Sequence, residues 1–172
     1  MSNYESENTL EKSFVNNHGI FSIFEVEISD YEDVFTLIKA DDFIPKTSWN
    51  KSISEMVIDG LNSGKWKGLC IKDKNGKICS YLDYKFKNET IEVGVCYTDR
   101  DYRGLNLFQT LFSSFLNTFH DKHIIIGTHE KNATMINCLY KFNFVMYKQV
   151  RDRIDFSNSL HFEKHPSLQV SN

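Results

Sequence analysis

The chain has 172 residues, 41% hydrophobic and 25% charged, values that suit one globular domain with a sizeable core and argue against wholesale disorder. Its formal charge of −3, with Lys and Arg scattered, lacks the concentrated basic face needed to grip a nucleic-acid backbone. No apolar run approaches the ~20 residues that span a bilayer, so neither nucleic acid nor membrane is an expected partner. Cys70, Cys79, Cys96 and Cys138 form no CxxC pair and have no His at zinc-finger spacing, so no metal is expected. The opening MSNYESENTLEKSFVNN is polar and acidic rather than signal-like. With cysteines in apolar segments, the expectation is a reduced, cytoplasmic protein.

Residues 1–18 carry little apolar content and are expected to be a flexible tail, with the domain at 19–165 and a second tail at 166–172. Ile20–Ile28 reads as a strand. Ser29 with Glu32 has capping-box spacing and opens a helix with Val34, Phe35, Leu37 and Ile38 on its apolar face. A loop over 41–51 holds Phe43 and Trp49. Ser52 with Glu55 opens a second helix, with Ile53, Met56, Val57 and Leu61 inward, ending near Gly64.

A meander follows. Lys67–Lys72 and Lys77–Phe86 flank Asn75-Gly76, the strongest short hairpin signal, and Lys87-Asn88 turns the chain into a third strand, Thr90–Thr98. Arg103-Gly104 then leads into a helix with Leu105, Phe108, Leu111, Phe112, Phe115, Leu116 and Phe119 at helical spacing. A strand, tight turn and helix in this order aim free N–H groups at whatever lies above the turn, which suits a phosphate. His123–Thr128 is apolar and β-branched, as in a strand buried on both faces. Asn132 caps a last helix over Ala133–Phe142, with Asn143 in the left-handed C-cap place. Residues 144–156 and 160–164 read as closing antiparallel strands. The order is β-α-α-β-β-β-α-β-α-β-β, an α+β chain whose mixed sheet is covered by helices on both faces.

That order and the Arg-Gly turn resemble the GNAT superfamily of acyl-CoA N-acyltransferases over roughly residues 20–164. The family's Q/R-x-x-G-x-G/A signature falls on Asp101-Tyr102-Arg103-Gly104-Leu105-Asn106. Asp101 replaces the usual Gln or Arg, and Asn106 replaces the final small residue, although Asn tolerates positive φ. The resemblance implies an α/β/α layered GNAT fold with a mostly antiparallel sheet. It also implies that amides of Gly104, Leu105, Asn106 and Leu107 hold the CoA diphosphate, assisted by Arg103. Cys96, Tyr97 and Thr98 would contact pantetheine through their backbone, and Asn132 would contact CoA. The family's Asn-to-Tyr spacing places Leu139 where a Tyr protonates the departing thiolate; Tyr140 stands one residue, ~100° of helix rotation, later.

Four catalytic candidates follow. Tyr140 is the proton donor. Glu92, which alternation sets on one strand face with Gly94, Cys96 and Thr98, is a general base or a solvated strand-end carboxylate. Asp83 is a second candidate for the base. His129, at the end of a buried strand where ligands gather in open sheets, is a proton relay or a solvated loop residue. Tyr81, Phe43 and Trp49 are lining residues of an acceptor pocket or core aromatics, and Arg151 and Arg153 line its far wall or an exposed strand. The expected reaction is acetyl transfer from acetyl-CoA to a primary amine of a small molecule, first an amino sugar or nucleotide-linked amino sugar, by direct attack in a ternary complex. The alternative is a non-catalytic acyl-CoA-binding regulatory module. A homodimer is left open.

Overall fold

The computed structural model describes residues 12–16, 19–40, 52–151 and 157–166. Strands β1 (Lys12–Asn16) and β2 (Gly19–Glu25) lead through a 3₁₀ turn to helices α1 (Tyr31–Lys39) and α2 (Ile53–Asn62). The meander β3 (Lys67–Asp73), β4 (Ile78–Lys87) and β5 (Thr90–Thr98) precedes α3 (Leu107–Thr118). Then come β6 (His123–His129), α4 (Ala133–Lys141), β7 (Val145–Arg151) and β8 (Asn158–Lys164). One sheet of order β1-β2-β3-β4-β5-β6-β8-β7 carries them all. Every neighbouring pair is antiparallel except β5 and β6.

Alternation along the central strands feeds two cores. Leu69, Ile71, Leu82, Ile91 and Val93 pack under Leu111, Phe112 and Phe115 of α3 and Leu139 of α4. On the other face Cys70 and Tyr81 meet Val34, Leu37 and Ile38 of α1 with Val57 and Leu61 of α2. Each fully buried Leu, Ile or Phe contributes about 1.5–3 kcal/mol, so the α3 stripe alone anchors its helix firmly. The resulting layers are those expected of an α+β chain with a mostly antiparallel sheet.

The structure corrects several sequence expectations. Residues 12–16 are not tail but an edge strand, paired with β2 from Lys12↔Ile23 to Asn16↔Gly19. The element order therefore gains one strand at its start. The first capping box is Glu27 with Asp30, not Ser29 with Glu32; it closes the 3₁₀ turn Ile28–Asp30, from which α1 follows. The Glu27 N–H donates to Asp30, whose carboxylate also takes the Lys72 ammonium at 2.6 Å, a distant partner that local spacing cannot reveal. Met56, expected inward, is exposed, because α2 turns Val57 and Leu61 to the sheet. The second capping box, Ser52 with Glu55, forms as expected. So does the left-handed Asn143, at φ +62°. Phe43, Trp49 and Arg153 lie outside the described residues.

Candidate functional site

Strands β5 and β6 pair only from Thr90↔His123 to Val93↔Ile126. Above that point β5 stays with β4 as far as Thr98, while β6 continues along β8 to the His129↔Ser159 pair. The two strands thus part, leaving a wedge between residues 94–98 and 127–129. The cause is local. Leu82 pairs with Cys96 but Tyr84 with Val93, so Gly94 and Val95 together face the single residue Asp83. Such a bulge bends and over-twists its strand.

The bulge also shifts the alternation of β5. Val93 and Cys96 both turn to the α3 side, whereas Val95 and Tyr97 turn to the α1 side. The expectation that Glu92, Gly94, Cys96 and Thr98 share one face is therefore overturned, since it assumed an uninterrupted period of two.

Next to the wedge lies the turn into α3. Asp99 accepts the Asp101 N–H at 2.9 Å and starts a 3₁₀ turn over Arg100–Tyr102. Gly104 then adopts φ +82° and Asn106 φ +59°, and α3 begins at Leu107. The Asn106 side chain makes no capping bond, so the first-turn amides of α3 are left for something above them. A Cβ built on Gly104 meets nothing within 4 Å, so the bend is open. Left-handed backbone at both positions makes a tight bend of the kind that suits an anion at a helix start.

Tyr102, within the signature stretch, anchors this turn. Its hydroxyl donates to Asp73 at 2.8 Å on the β3–β4 hairpin, and the Lys77 ammonium sits 5.0 Å from its ring centre. Arg103 folds back: its Nε donates to the Thr98 carbonyl at 3.1 Å, and its guanidinium lies 5.7 Å from the Tyr97 ring centre. That posture ties the turn to the end of β5. Asp101 is exposed.

Asp83 stands on β4 opposite the bulge. Its carboxylate is buried, takes the Val95 N–H at 2.7 Å and accepts the Tyr81 hydroxyl at 3.1 Å. Burial pushes its pKa up, and the two hydrogen bonds and Lys85 only partly offset that, leaving it at about 7. Any side chain at position 94 would run into this carboxylate and the Trp66 ring, so Gly94 is required there by packing. Tyr81 is fully buried beside it, and its phenol is pushed up by burial and by the neighbouring Asp83 carboxylate.

The remaining candidates are distributed differently. Glu92 stands in the paired part of β5 opposite Lys85, whose ammonium it meets at 3.1 Å, below the wedge. His129 lies at the top of β6, and its Nδ1 accepts the Lys131 N–H at 3.1 Å. Glu130 binds the backbone and side-chain amides of Asn158, holding the β6 end to β8. Asn132 caps α4 through the Met135 N–H at 3.2 Å. Leu139 is fully buried in the core, and Tyr140 lies half-exposed against Phe162 of β8, their ring centres 5.5 Å apart. Cys96 lines the α3 side, where burial, with Asp83 and Cys138 nearby, pushes its thiol well up; it is a packing group rather than a nucleophile. Thr98 bonds Ser80 at 3.0 Å.

On the opposite sheet face a cleft of about 640 Å³ reaches from α1 to the turn, lined in part by Asp33, Thr36, Lys77, Tyr97, Asp99 and Arg100. Burial pushes the Asp99 carboxyl up, but bonds from Lys77 and the Asp101 N–H outweigh it and hold the group below its usual range.

No family model matches the sequence, and no curated protein matches it significantly. Solved structures do match. The ribosomal-protein-S18-alanine N-acetyltransferase from Escherichia coli superposes with a TM-score of 0.71 at 11% identity, over 88% of this chain and 99% of that one. An acetyltransferase assigned to the GNAT family from Desulfovibrio desulfuricans gives 0.70 at 10%, over 84% and 98%. A variant of the spermidine N-acetyltransferase from Vibrio cholerae gives 0.66 at 10%, over 84% and 92%. The chain has the GNAT acetyltransferase fold. No described helix is long and apolar enough to cross a membrane.

Proposed function

We propose that the protein is an acyl-CoA-dependent N-acyltransferase that moves an acetyl group from acetyl-CoA to the primary amine of a small molecule in a ternary complex. The observation that carries this reading is the parting of β5 from β6 above Val93 and Ile126, directly beside the open Gly104 turn. The amides of Gly104, Leu105, Asn106 and Leu107 suit a diphosphate. The inner edge of β5 at Cys96, Tyr97 and Thr98 suits an amide-bearing arm laid along it like an added strand. A bound acetyl thioester supplies an activated acyl carbon that an amine attacks without an enzyme-bound intermediate.

The protein's own share is then orientation and proton transfer. An amine attacks only when neutral. Asp83, near 7 and next to the bulge, is the group best matched to accept its proton, directly or through water. Glu92, held by Lys85 in the paired part of the ladder, is the less favoured base. The net proton passes from the amine nitrogen to the departing sulfur. An amino sugar, free or nucleotide-linked, is the first acceptor class in this proposal, a polyamine the second. The protein is expected to work in the cytoplasm.

Calorimetry with acetyl-CoA, followed by thiol-release assays over amino sugars, polyamines and alanine-terminated peptides, tests the reading. Tight binding with acceptor-dependent CoA release supports it. Binding without release under any acceptor would instead support a non-catalytic acyl-CoA-binding module. That second reading rests on Leu139 being buried where the family places its Tyr, with Tyr140 turned to Phe162. Absence of acetyl-CoA binding would overturn both.

A further inference from the structure

A separate cluster occupies the opposite end of the sheet. Strands β6 and β8 pair in the register Ile124↔Lys164 and Ile125↔Glu163. Continuing that register one step sets His123 opposite His165, with Glu163 two residues before His165 on the same face. The side chains converge accordingly. His123 Nε2 lies 3.0 Å from one Glu163 oxygen and His165 Nε2 lies 3.4 Å from the other. The two imidazoles stack with centroids 4.6 Å apart. One ligand atom from each residue falls within 4.8 Å of the other two.

We propose that His123, Glu163 and His165 form a binding site for a divalent transition metal, with zinc as the fitting ion. Four observations support it. Two imidazole nitrogens and one carboxylate oxygen are a donor set that zinc accepts. Tetrahedral zinc with bonds of ~2.0–2.1 Å holds its ligand atoms about 3.3 Å apart, and His123 Nε2 with its Glu163 oxygen, at 3.0 Å, lies close to that spacing. His123 Nδ1 meets the Thr90 hydroxyl at 3.2 Å, the outer contact that orients a metal-bound imidazole. His123 and Glu163 are set on paired strands, while the His165 side chain is 70% exposed and free to tilt its ring toward the ion.

Three protein ligands leave a fourth position for water. The site lies on the order of 10 Å below the parting of β5 and β6, three residues along β6, so the ion clamps the strand ends and does not join acyl transfer. Glu163 and both histidines then serve as a staple across β6 and β8.

The test is zinc titration of chelator-treated full-length protein by calorimetry near neutral pH, with thermal melts alongside. One zinc should bind per chain with micromolar or tighter affinity, and about 0.1 mM zinc should raise Tm by several degrees. His165→Ala, at an exposed position that leaves folding intact, should weaken zinc binding at least tenfold, and Glu163→Gln should do likewise. No binding at about 0.1 mM zinc would overturn the proposal. So would equal binding by wild type and His165→Ala, which would mark the ion as held elsewhere. A Tm that responds to pH but not to zinc would reduce the cluster to a protonation-dependent ion pair and overturn the metal site.

Discussion

Replacing Asp83 by Asn keeps the side chain's shape and its acceptor for the Val95 N–H, but removes a carboxyl that burial holds near 7. The wild-type group moves from 3.8 to about 7 on folding, a rise of about 3 units. At 1.36 kcal/mol per unit that is at most ~4 kcal/mol. The sign follows from proton counting. Between the unfolded and folded pKa the native state binds the extra proton, so the stability this group contributes is fully present below about pH 4. It is lost as pH rises toward 7 and stays lost above it. The Asp83→Asn protein would carry no such dependence. The difference between wild type and Asp83→Asn in urea or thermal melts should therefore be flat above about pH 7 and grow in favour of wild type as pH falls toward 4. At pH 8 the variant should be the more stable protein, by up to several degrees in Tm. If Asp83 also accepts the amine proton, kcat/KM at neutral pH should drop about a hundredfold, and the rise of activity near pH 7 should vanish. Parallel stability curves for the two proteins between pH 4 and 8 would refute the reasoning about burial. Unchanged kcat/KM would refute the catalytic role separately.

Gly104→Trp should weaken acetyl-CoA binding at least tenfold by calorimetry, because position 104 faces open space where the diphosphate would sit. A melt must accompany it, since the φ of +82° makes any side chain there strained. Undiminished affinity would remove the turn from the site. Tyr140→Phe should keep kcat within about twofold in the thiol-release assay, since its ring rests on Phe162 of β8; a tenfold or larger fall would make its hydroxyl the proton donor.

The sequence carried those parts of the fold that depend on nearest neighbours. Asn75-Gly76 announced the β3–β4 hairpin, Ser52 and Glu55 the start of α2, and the 3–4 spacing of Leu111, Phe112 and Phe115 the buried face of α3. Asn106 and Asn143 were legible as left-handed residues because Asn tolerates positive φ. The edge strand Lys12–Asn16 was not, for its pairing is supplied by β2 and only Phe14 of its apolar residues joins the core. Local spacing misled at Ser29 and Glu32, where a distant Lys72 stabilises Asp30 instead.

What the chain alone determined, then, was the order of strands and helices after the first and the bend that opens α3, since turn chemistry and periodicity act within a few residues. Only the tertiary structure decided where chemistry can occur. The bulge opposite Asp83 reversed the alternation of β5, drew β5 away from β6, and buried one carboxyl while leaving Glu92 to Lys85. Likewise, register across β6 and β8 brought His123 to residues some forty positions away. Desolvation and cross-strand register depend on residues remote in sequence, and no local pattern encodes them.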